Sequence, residues 1–263
     1  MAAGEAAALP RLQHDRQHAI YMLALSQGSV DVSDLADRYG VTTETIRRDL
    51  SEMQRQNLLR RVHGGAVPVE RIEFEPMLAA RDMANAEEKL RIATKAVDEV
   101  PERGSVLVDS GSTTQRLAEV FPVDRDVHVV TNALLTAITL SRRGLHDLTV
   151  LGGAVRANTL AMVDDATRDA LQDMVVDVLF ISCDGLSFQH GLTTPYRAEH
   201  TLKRAMIERA RRVIAMVDGS KFGNVQMFSY AAFEEIDVLI TDSRTDPEAA
   251  AAVASHDIAV HRV

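Results

Sequence analysis

From residue 104 onward, six aliphatic or β-branched runs each end in a short stretch of small and polar residues. Val108 is followed by Asp109, Ser110, Gly111, Ser112, Thr113 and Thr114, Val130 by Thr131 and Asn132, and Leu151 by Gly152 and Gly153. Ile181 leads through Ser182 and Cys183 to Asp184 and Gly185, Val217 to Asp218, Gly219, Ser220 and Lys221, and Ile240 to Thr241 and Asp242. Hydroxyls, glycines and a helix start at Ser112 to Thr114 can cradle an anion, because N–H groups at a helix N-terminus point outward and carry partial positive charge. Lys221, in one of these loops, is the best-placed cation for such a ligand. One Asp-Ser-Gly-Ser-Thr-Thr run alone reads equally well as a capped turn; six such ends together point to a ligand site. Glu199 and Lys203 are four apart on one helical stretch, so they either form a surface ion pair or reach that site.

Other chemistries are excluded by what is missing. Neither a GxGxxG fingerprint nor a P-loop is present, which speaks against a dinucleotide or ATP. Cys183 is the only cysteine, so no intrachain disulfide can form. With no adjacent His, it reads as a small buried residue rather than a nucleophile. His190 and His200 lack a third ligand at any recognised spacing, so no metal is expected.

A second chemistry lies in Val41 to Leu50, VTTETIRRDL. Ile46, Leu50 and Met53 form a helical stripe, while Thr45, Arg47 and Arg48 fall outside it. Thr42 or Thr43 can cap this helix, with Glu44 in its first turn. A shorter helix through Leu35, Ala36 and Tyr39, capped at Ser33 or Asp34, is closed by Gly40, which can take a left-handed backbone. Helix, glycine turn, helix is the pattern that sets the start of a second helix into the DNA major groove. Hydroxyls at Thr42, Thr43 and Thr45 and guanidiniums at Arg47 and Arg48 suit base edges and phosphates. Beyond it, Arg60, Arg61, His63 and Gly64 lie in a stretch that reads as a two-stranded wing reaching the DNA backbone. From Arg38 to Val67 six arginines stand against Glu44, Asp49 and Glu52, so this segment is locally basic in a chain of net charge -9. The plain alternative is a three-helix bundle with solvated arginines. His63 reads as a wing hydrogen-bonder rather than a ligand or switch.

The elements that must position these groups follow from periodicity. Seven strands are expected at 106–108, 127–130, 148–151, 178–181, 213–217, 238–240 and 258–260, with helices such as 133–141, 197–211 and 247–254 between most of them. Such alternation predicts an α/β domain with a mainly parallel sheet, whose ligands sit at the C-terminal strand ends. The chain divides into residues 11–68, a proline-containing connector at 69–86 with the boundary near Glu75 and a short helix at 76–84, and a second domain at 87–263. At 46% hydrophobic and 25% charged residues the chain can bury real cores. With 4% aromatic residues and no Trp it offers no stacking platform for single-stranded nucleic acid. No run approaches the roughly 18 apolar residues of a membrane span. Met1 to Leu9 reads as a disordered tail rather than a signal peptide, so the cytoplasm is the expected location.

TIRRDL followed by LLRRVHGGAV resembles the N-terminal signature of the DeoR family of bacterial transcriptional regulators. VDSGSTT, VVTNALL, LGG, CDG, GLTT, the Glu199 to Lys203 spacing, DGSKFG and LITD resemble the sensor domain of that family. The resemblance runs in order from about Arg11 to Asp242. It implies a winged helix-turn-helix joined to a fold similar to ribose-5-phosphate isomerase. It also implies a phosphorylated sugar or related metabolite as effector, and no further cofactor. By position, Asp109 to Thr114 would form the phosphate loop, and Thr131, Asn132, Gly152, Asp184, Glu199, Lys203 and Lys221 the remainder. Two departures stand out. Asn57 replaces a usual Gly, a mild change because Asn tolerates a left-handed backbone. Asp164 and Asp165 replace a usual Val-Gly pair, and acids there would oppose a nearby anionic ligand.

The function expected is a non-enzymatic regulator, a repressor of carbohydrate genes. It would bind an operator in double-stranded DNA as a homodimer or homotetramer, with no membrane partner. The rival is a sugar-phosphate isomerase or hydrolase with an appended head, using Asp184, Glu199 and Lys203 as acid–base groups. A third reading is a ligand-free oligomerising scaffold.

Overall fold

Helical spacing in the first sixty residues and strand–helix alternation after residue 104 give two separately packed units, one ending at Phe74 and the other starting at Glu75. The computed structural model describes residues 16–17, 19–21, 23–24, 28–55, 59–62, 64–68 and 78–263; Met1 to Leu9, Asn57, His63 and residues 69–77 lie outside them.

In the first unit, β1 (Val30–Asp31) runs into α1 (Val32–Tyr39). The Asp31 carboxylate accepts from the N–H groups of Ser33 at 2.7 Å and Asp34 at 3.3 Å, so the cap lies before the residues expected for it. The helix begins at Val32, and only a side chain just ahead of it can reach the second and third N–H groups. Gly40 closes α1 at φ 63° and donates its N–H to Ala36 O. Thr42 opens α2 (Thr43–Arg55), its hydroxyl accepting from Thr45 N–H at 3.2 Å. Ile46, Leu50 and Met53 are fully buried with Ile20, Leu35 and Leu59. Each such side chain contributes roughly 1.5–3 kcal/mol by leaving water. The hairpin of β2 (Leu59–Val62) and β3 (Gly65–Pro68) is joined by β1 in the order β1-β3-β2. The wing is therefore three-stranded rather than two-stranded. The third strand can close in because Gly65 has no side chain: a Cβ there would lie 2.0 Å from Val30 O.

The second unit opens with α3 (Leu78–Met83) and α4 (Ala86–Ala96). Residues 78–86 read as connector in the sequence but belong to this unit. Leu78 is buried, its N–H donates to Asn158 O at 2.9 Å, and Asp82 pairs with Arg116 at 2.8 Å. In chain order there follow β4 (Arg103–Val108), α5 (Ser112–Val120), β5 (Asp126–Thr131), α6 (Leu134–Arg142) and β6 (Leu148–Val150). Next come β7 (Val155–Arg156), β8 (Ala161–Met162), α7 (Asp165–Asp169), β9 (Val178–Ile181), β10 (Gly185–Ser187) and β11 (Gly191–Thr194). The chain ends with α8 (Arg197–Arg209), β12 (Val213–Met216), β13 (Phe228–Ala231), β14 (Val238–Thr241), α9 (Pro247–Ala254) and β15 (Ala259–Arg262).

Seven strands form one sheet in the order β15-β14-β12-β9-β4-β5-β6, every pair parallel. Each of the seven expected runs falls on one of them. Burial on both faces explains the near-continuous apolar strands. Leu107, Leu179, Ile181 and Ala215 pack on one face with Leu202 and Met206 of α8. Val106, Val108, Phe180 and Ile214 pack on the other with Ile92 of α4 and Leu117 of α5. A small sheet, β10-β11-β13, was not legible as such, because its strands are short and broken by Gly185, Gly191 and a register shift at Leu192/Thr193.

Candidate functional site

The start of α2 presents an open polar surface. Thr42, Thr43, Arg47 and Arg48 are exposed and Thr45 half-buried, while Arg60, Arg61 and Gly64 are exposed on the wing. Arg47 lies 3.5 Å from Glu44, both well exposed. Arg61 donates to Ser51 Oγ at 3.1 Å, and Ser51 donates to Arg47 O at 2.7 Å, so the wing is tied to the helix beside it. Gly64 O accepts from Val32 N–H at 2.9 Å, which fixes the wing turn against α1. Asp49 weighs against DNA in a simple charge count but faces inward. It is buried and paired with Arg16 at 2.6 Å, so it leaves the outer face cationic. His63 falls outside the described residues.

In the second unit the strand order reverses at β4. β5 and β6 lie to one side, and β9 then returns to the other. The loops after β4 and β9 part there, which opens a crevice at the C-terminal edge of the sheet. It is lined by Ser110 and Gly111 after β4, Ser182, Cys183 and Asp184 after β9, Glu199 and Lys203 of α8, Arg81 of α3, and Thr159 between β7 and β8. Gly111 is required there, since a Cβ would lie 2.5 Å from Ser182 Oγ. The cavity measures about 10 Å³, room for roughly one water molecule.

Three ion pairs close this cavity. Lys203 Nζ meets Asp109 Oδ2, Arg156 meets Glu199, and Arg81 lies 2.9 Å from Asp184. Lys203 also donates to Ser182 O at 2.9 Å, and the Tyr230 hydroxyl donates to the same carbonyl at 2.7 Å. Burial works against the Lys203 charge, but Asp109, Glu199 and Asp184 outweigh it and hold the ammonium above its ordinary range. Arg156 also stacks on Tyr196, 3.5 Å from the ring centre. The Thr194 hydroxyl sits 2.9 Å from Glu199 Oε2 and 3.1 Å from Asp184 Oδ2. The Thr159 hydroxyl is buried without a hydrogen-bond partner. Burial pushes the Cys183 thiol up to about 12, which fits a small buried residue and not a nucleophile.

Of the residues expected at this site, Ser110, Gly111, Asp184, Glu199 and Lys203 come together, with Asp109 beneath Lys203. Glu199 and Lys203 are both buried, and each takes a different partner, so the surface-pair reading is set aside. Ser112, Thr113 and Thr114 are buried in the first turn of α5 and do not line the cavity; Thr114 donates to Gly111 O at 3.1 Å. Thr131 donates to Val108 O at 2.7 Å and accepts from Ala133 N–H at 3.1 Å, a strand-end clasp. Asn132 donates to Met162 O at 3.0 Å, leaving its buried Oδ1 without a partner. Gly152 is exposed and its carbonyl accepts from Thr167. Lys221 ends a short turn over Gly219–Lys221 and is not among the residues that line the cavity, although its charge acts on Cys183, which is. Arg81 and Lys203 line the cavity, and Arg156 reaches it through its pair with Glu199, which also lines it. Asp164 does not line the cavity but caps α7, accepting from Thr167 N–H at 3.0 Å and Ala154 N–H at 2.7 Å. These bonds hold its carboxyl below the usual range. Sequence reasoning missed Arg81, Arg156 and Thr159; the one signal was a basic residue soon after Gly152-Gly153.

Known proteins match in the same two parts. The family model for a DeoR-like helix-turn-helix domain covers residues 16–71, and that for the DeoR C terminal sensor domain covers residues 84–243. The HTH-type transcriptional regulator GlpR of Haloferax volcanii is 34% identical over 249 residues, 95% of this chain and 97% of that one. The glycerol-3-phosphate regulon repressor of Escherichia coli K12 is 31% identical over 231 residues, 88% of this chain and 91% of that one. Among solved structures, ribose 5 phosphate isomerase A from Neisseria gonorrhoeae is a distant likeness. It has TM-score 0.39 and 18% identity over 56% of this chain and 55% of that one. With a reading head in front and a sensor domain behind, matched over most of its length, this chain belongs to the DeoR family of transcriptional regulators.

Proposed function

We propose that this chain represses carbohydrate-metabolism genes and that a phosphorylated sugar in the second unit changes the affinity of the first for operator DNA. Thr42, Thr43, Thr45, Arg47 and Arg48 meet the major groove, and Arg60, Arg61 and Gly64 the flanking backbone. The effector sits against Ser110, Gly111, Asp184, Glu199 and Lys203, with its charge toward the start of α5. A homodimer or homotetramer in the cytoplasm presents heads to half-sites about one helical turn, or a multiple, apart. The observation that carries this reading is one chain holding both an exposed basic helix start and an ion-paired crevice at a sheet switch point. The enzymatic alternative is weaker on the same geometry. Asp184, Glu199 and Lys203 are each engaged in an ion pair, and Lys203 is held charged, which suits binding better than proton exchange.

The test is fluorescence anisotropy of the full chain on DNA from upstream of its own gene, with and without a panel of phosphorylated sugars. The expected result is a shift in DNA affinity of about 5- to 150-fold with one member. DNA binding that no member alters would overturn the sensor half of the proposal, and no DNA binding the other half.

A further inference from the structure

We infer that Arg81 and Arg156 read the phosphoryl group of the effector by exchange. Each leaves its carboxylate for the phosphate, and the released Asp184 and Glu199 accept hydroxyls of the same ligand. This rests on the sugar-phosphate reading of the pocket. Lys203, Arg81 and Arg156 each stand in an ion pair with a carboxylate, so an incoming anion must displace a carboxylate to reach any of them. Lys203 is the fixed member. Its side chain is 5% exposed and held by both Asp109 and Ser182 O. The arginines stand nearer the rim, with side chains 13% exposed for Arg81 and 18% for Arg156. A guanidinium can also exchange one planar oxyanion for another and keep bidentate geometry.

The carboxylates set the second requirement. Asp184 and Glu199 side chains are 15% and 6% exposed, and a carboxylate left unpaired there is strongly disfavoured. Thr194 lies within hydrogen-bond distance of both but has one proton to donate, so one carboxylate has an acceptor position open toward it. A ligand with a phosphoryl group and neighbouring hydroxyls meets both demands. Inorganic phosphate meets the first only, and an unphosphorylated polyol the second only.

Arg81 also gives the exchange a route outward. It sits on α3, which follows the unit boundary at Phe74 and Glu75 in the sequence. Lys89 Nζ donates to the carbonyls of Arg81 and Ala84, and Leu78 N–H donates to Asn158 O at 2.9 Å. The latter bond ties α3 to the turn after β7, which carries Arg156. The two arginines therefore sit on segments joined by a hydrogen bond.

Isothermal titration of the full chain with inorganic phosphate, ribose, glycerol, ribose 5-phosphate, glycerol 3-phosphate and fructose 6-phosphate tests this. At least one polyol phosphate should bind about tenfold or more tighter than inorganic phosphate and its own dephosphorylated form. Arg81→Gln should weaken that ligand about tenfold and shrink its effect on DNA affinity, and Arg81→Lys should restore part of both. Asp184→Asn keeps the shape of the site and decides the matter if Arg81→Gln does not fold. It removes the carboxylate charge that faces Arg81, so inorganic phosphate should bind several-fold tighter while the polyol phosphate loosens. Polyol-phosphate binding as tight or tighter in Arg81→Gln, or no gain for inorganic phosphate in Asp184→Asn, would overturn the exchange and leave the sensor reading standing. Silence of the parent chain toward every polyol phosphate would overturn both.

Discussion

The two units treat positive charge in opposite ways. In the head, Arg47, Arg48, Arg60 and Arg61 are kept exposed, and the one buried acid of α2, Asp49, is neutralised from inside by Arg16. In the sensor crevice the described cations Lys203, Arg81 and Arg156 each face a carboxylate. The difference follows from the ligands each surface suits. DNA is a fixed, dense polyanion, and an open basic surface gains affinity from it by releasing counterions. A small phosphorylated ligand carries little charge and must displace something, so a pre-paired site rejects bare anions. The head should accordingly be strongly salt-sensitive and the crevice much less so, since buried pairs are poorly screened.

The hardest way to break the comparison is to remove the fixed cation. Lys203→Met leaves Asp109 buried without its partner and should cost the sensor unit about 3–5 kcal/mol in urea denaturation. Adding Asp109→Leu should recover most of that loss, because the pair itself contributes little net stability once both charges are gone. A single-variant loss below about 1 kcal/mol would mean the pair is not what holds the crevice shut. Next in size is Lys89, 3% exposed, whose ammonium burial pulls from 10.5 down to about 8. Below pH 8 it is charged in both folded and unfolded states, and its full cost is felt. Between about pH 8 and 10.5 the folded state has released the proton and the unfolded state still holds it, so stability rises with pH. The rise is on the order of 3 kcal/mol. Lys89→Met should flatten the stability-against-pH curve over that window by one proton; parallel curves would show that Lys89 stays charged.

Much of this architecture was legible because it rests on local periodicity. All seven strands of the main sheet fell on apolar runs, and the stripe Ile46, Leu50, Met53 marked the buried face of α2. The crevice was legible where its residues follow a strand directly, as Ser110, Gly111 and Asp184 do, and where Glu199 and Lys203 stand four apart on α8. Arg81 and Arg156 were not, because they arrive from a helix that reads as connector and from a two-residue strand with no period to mark it. Lys221 also follows a strand end, yet it is not among the residues that line the crevice. Thr131 shows the limit of motif reading. Its hydroxyl is taken by Val108 O and Ala133 N–H, bonds that no spacing announces.

Two smaller perturbations sharpen the contrast from the side of the head. Arg47→Ala should lower DNA affinity by about 1–3 kcal/mol if the guanidinium reads a base. If it meets a phosphate, the salt slope should fall by about one unit across all sequences. In either case effector binding should be untouched, and equal loss of both would end the division of labour. The smallest effect is the most discriminating. Thr42 has one hydroxyl placed for two tasks, capping α2 through Thr45 N–H at 3.2 Å while standing exposed at the helix start. It also lies 2.9 Å from the Thr45 hydroxyl, and either of the two can donate to the other. Thr42→Ala should therefore cost the head about 1 kcal/mol of stability through the lost cap. Its DNA affinity should fall further than that instability accounts for, and Thr42→Ser should restore both. A loss of DNA affinity with the unfolding midpoint unchanged would mean the hydroxyl serves DNA alone and the helix start holds itself. The hydroxyls at the start of α2 would then face DNA alone, in contrast to the side chains of the sensor crevice, which pair with one another.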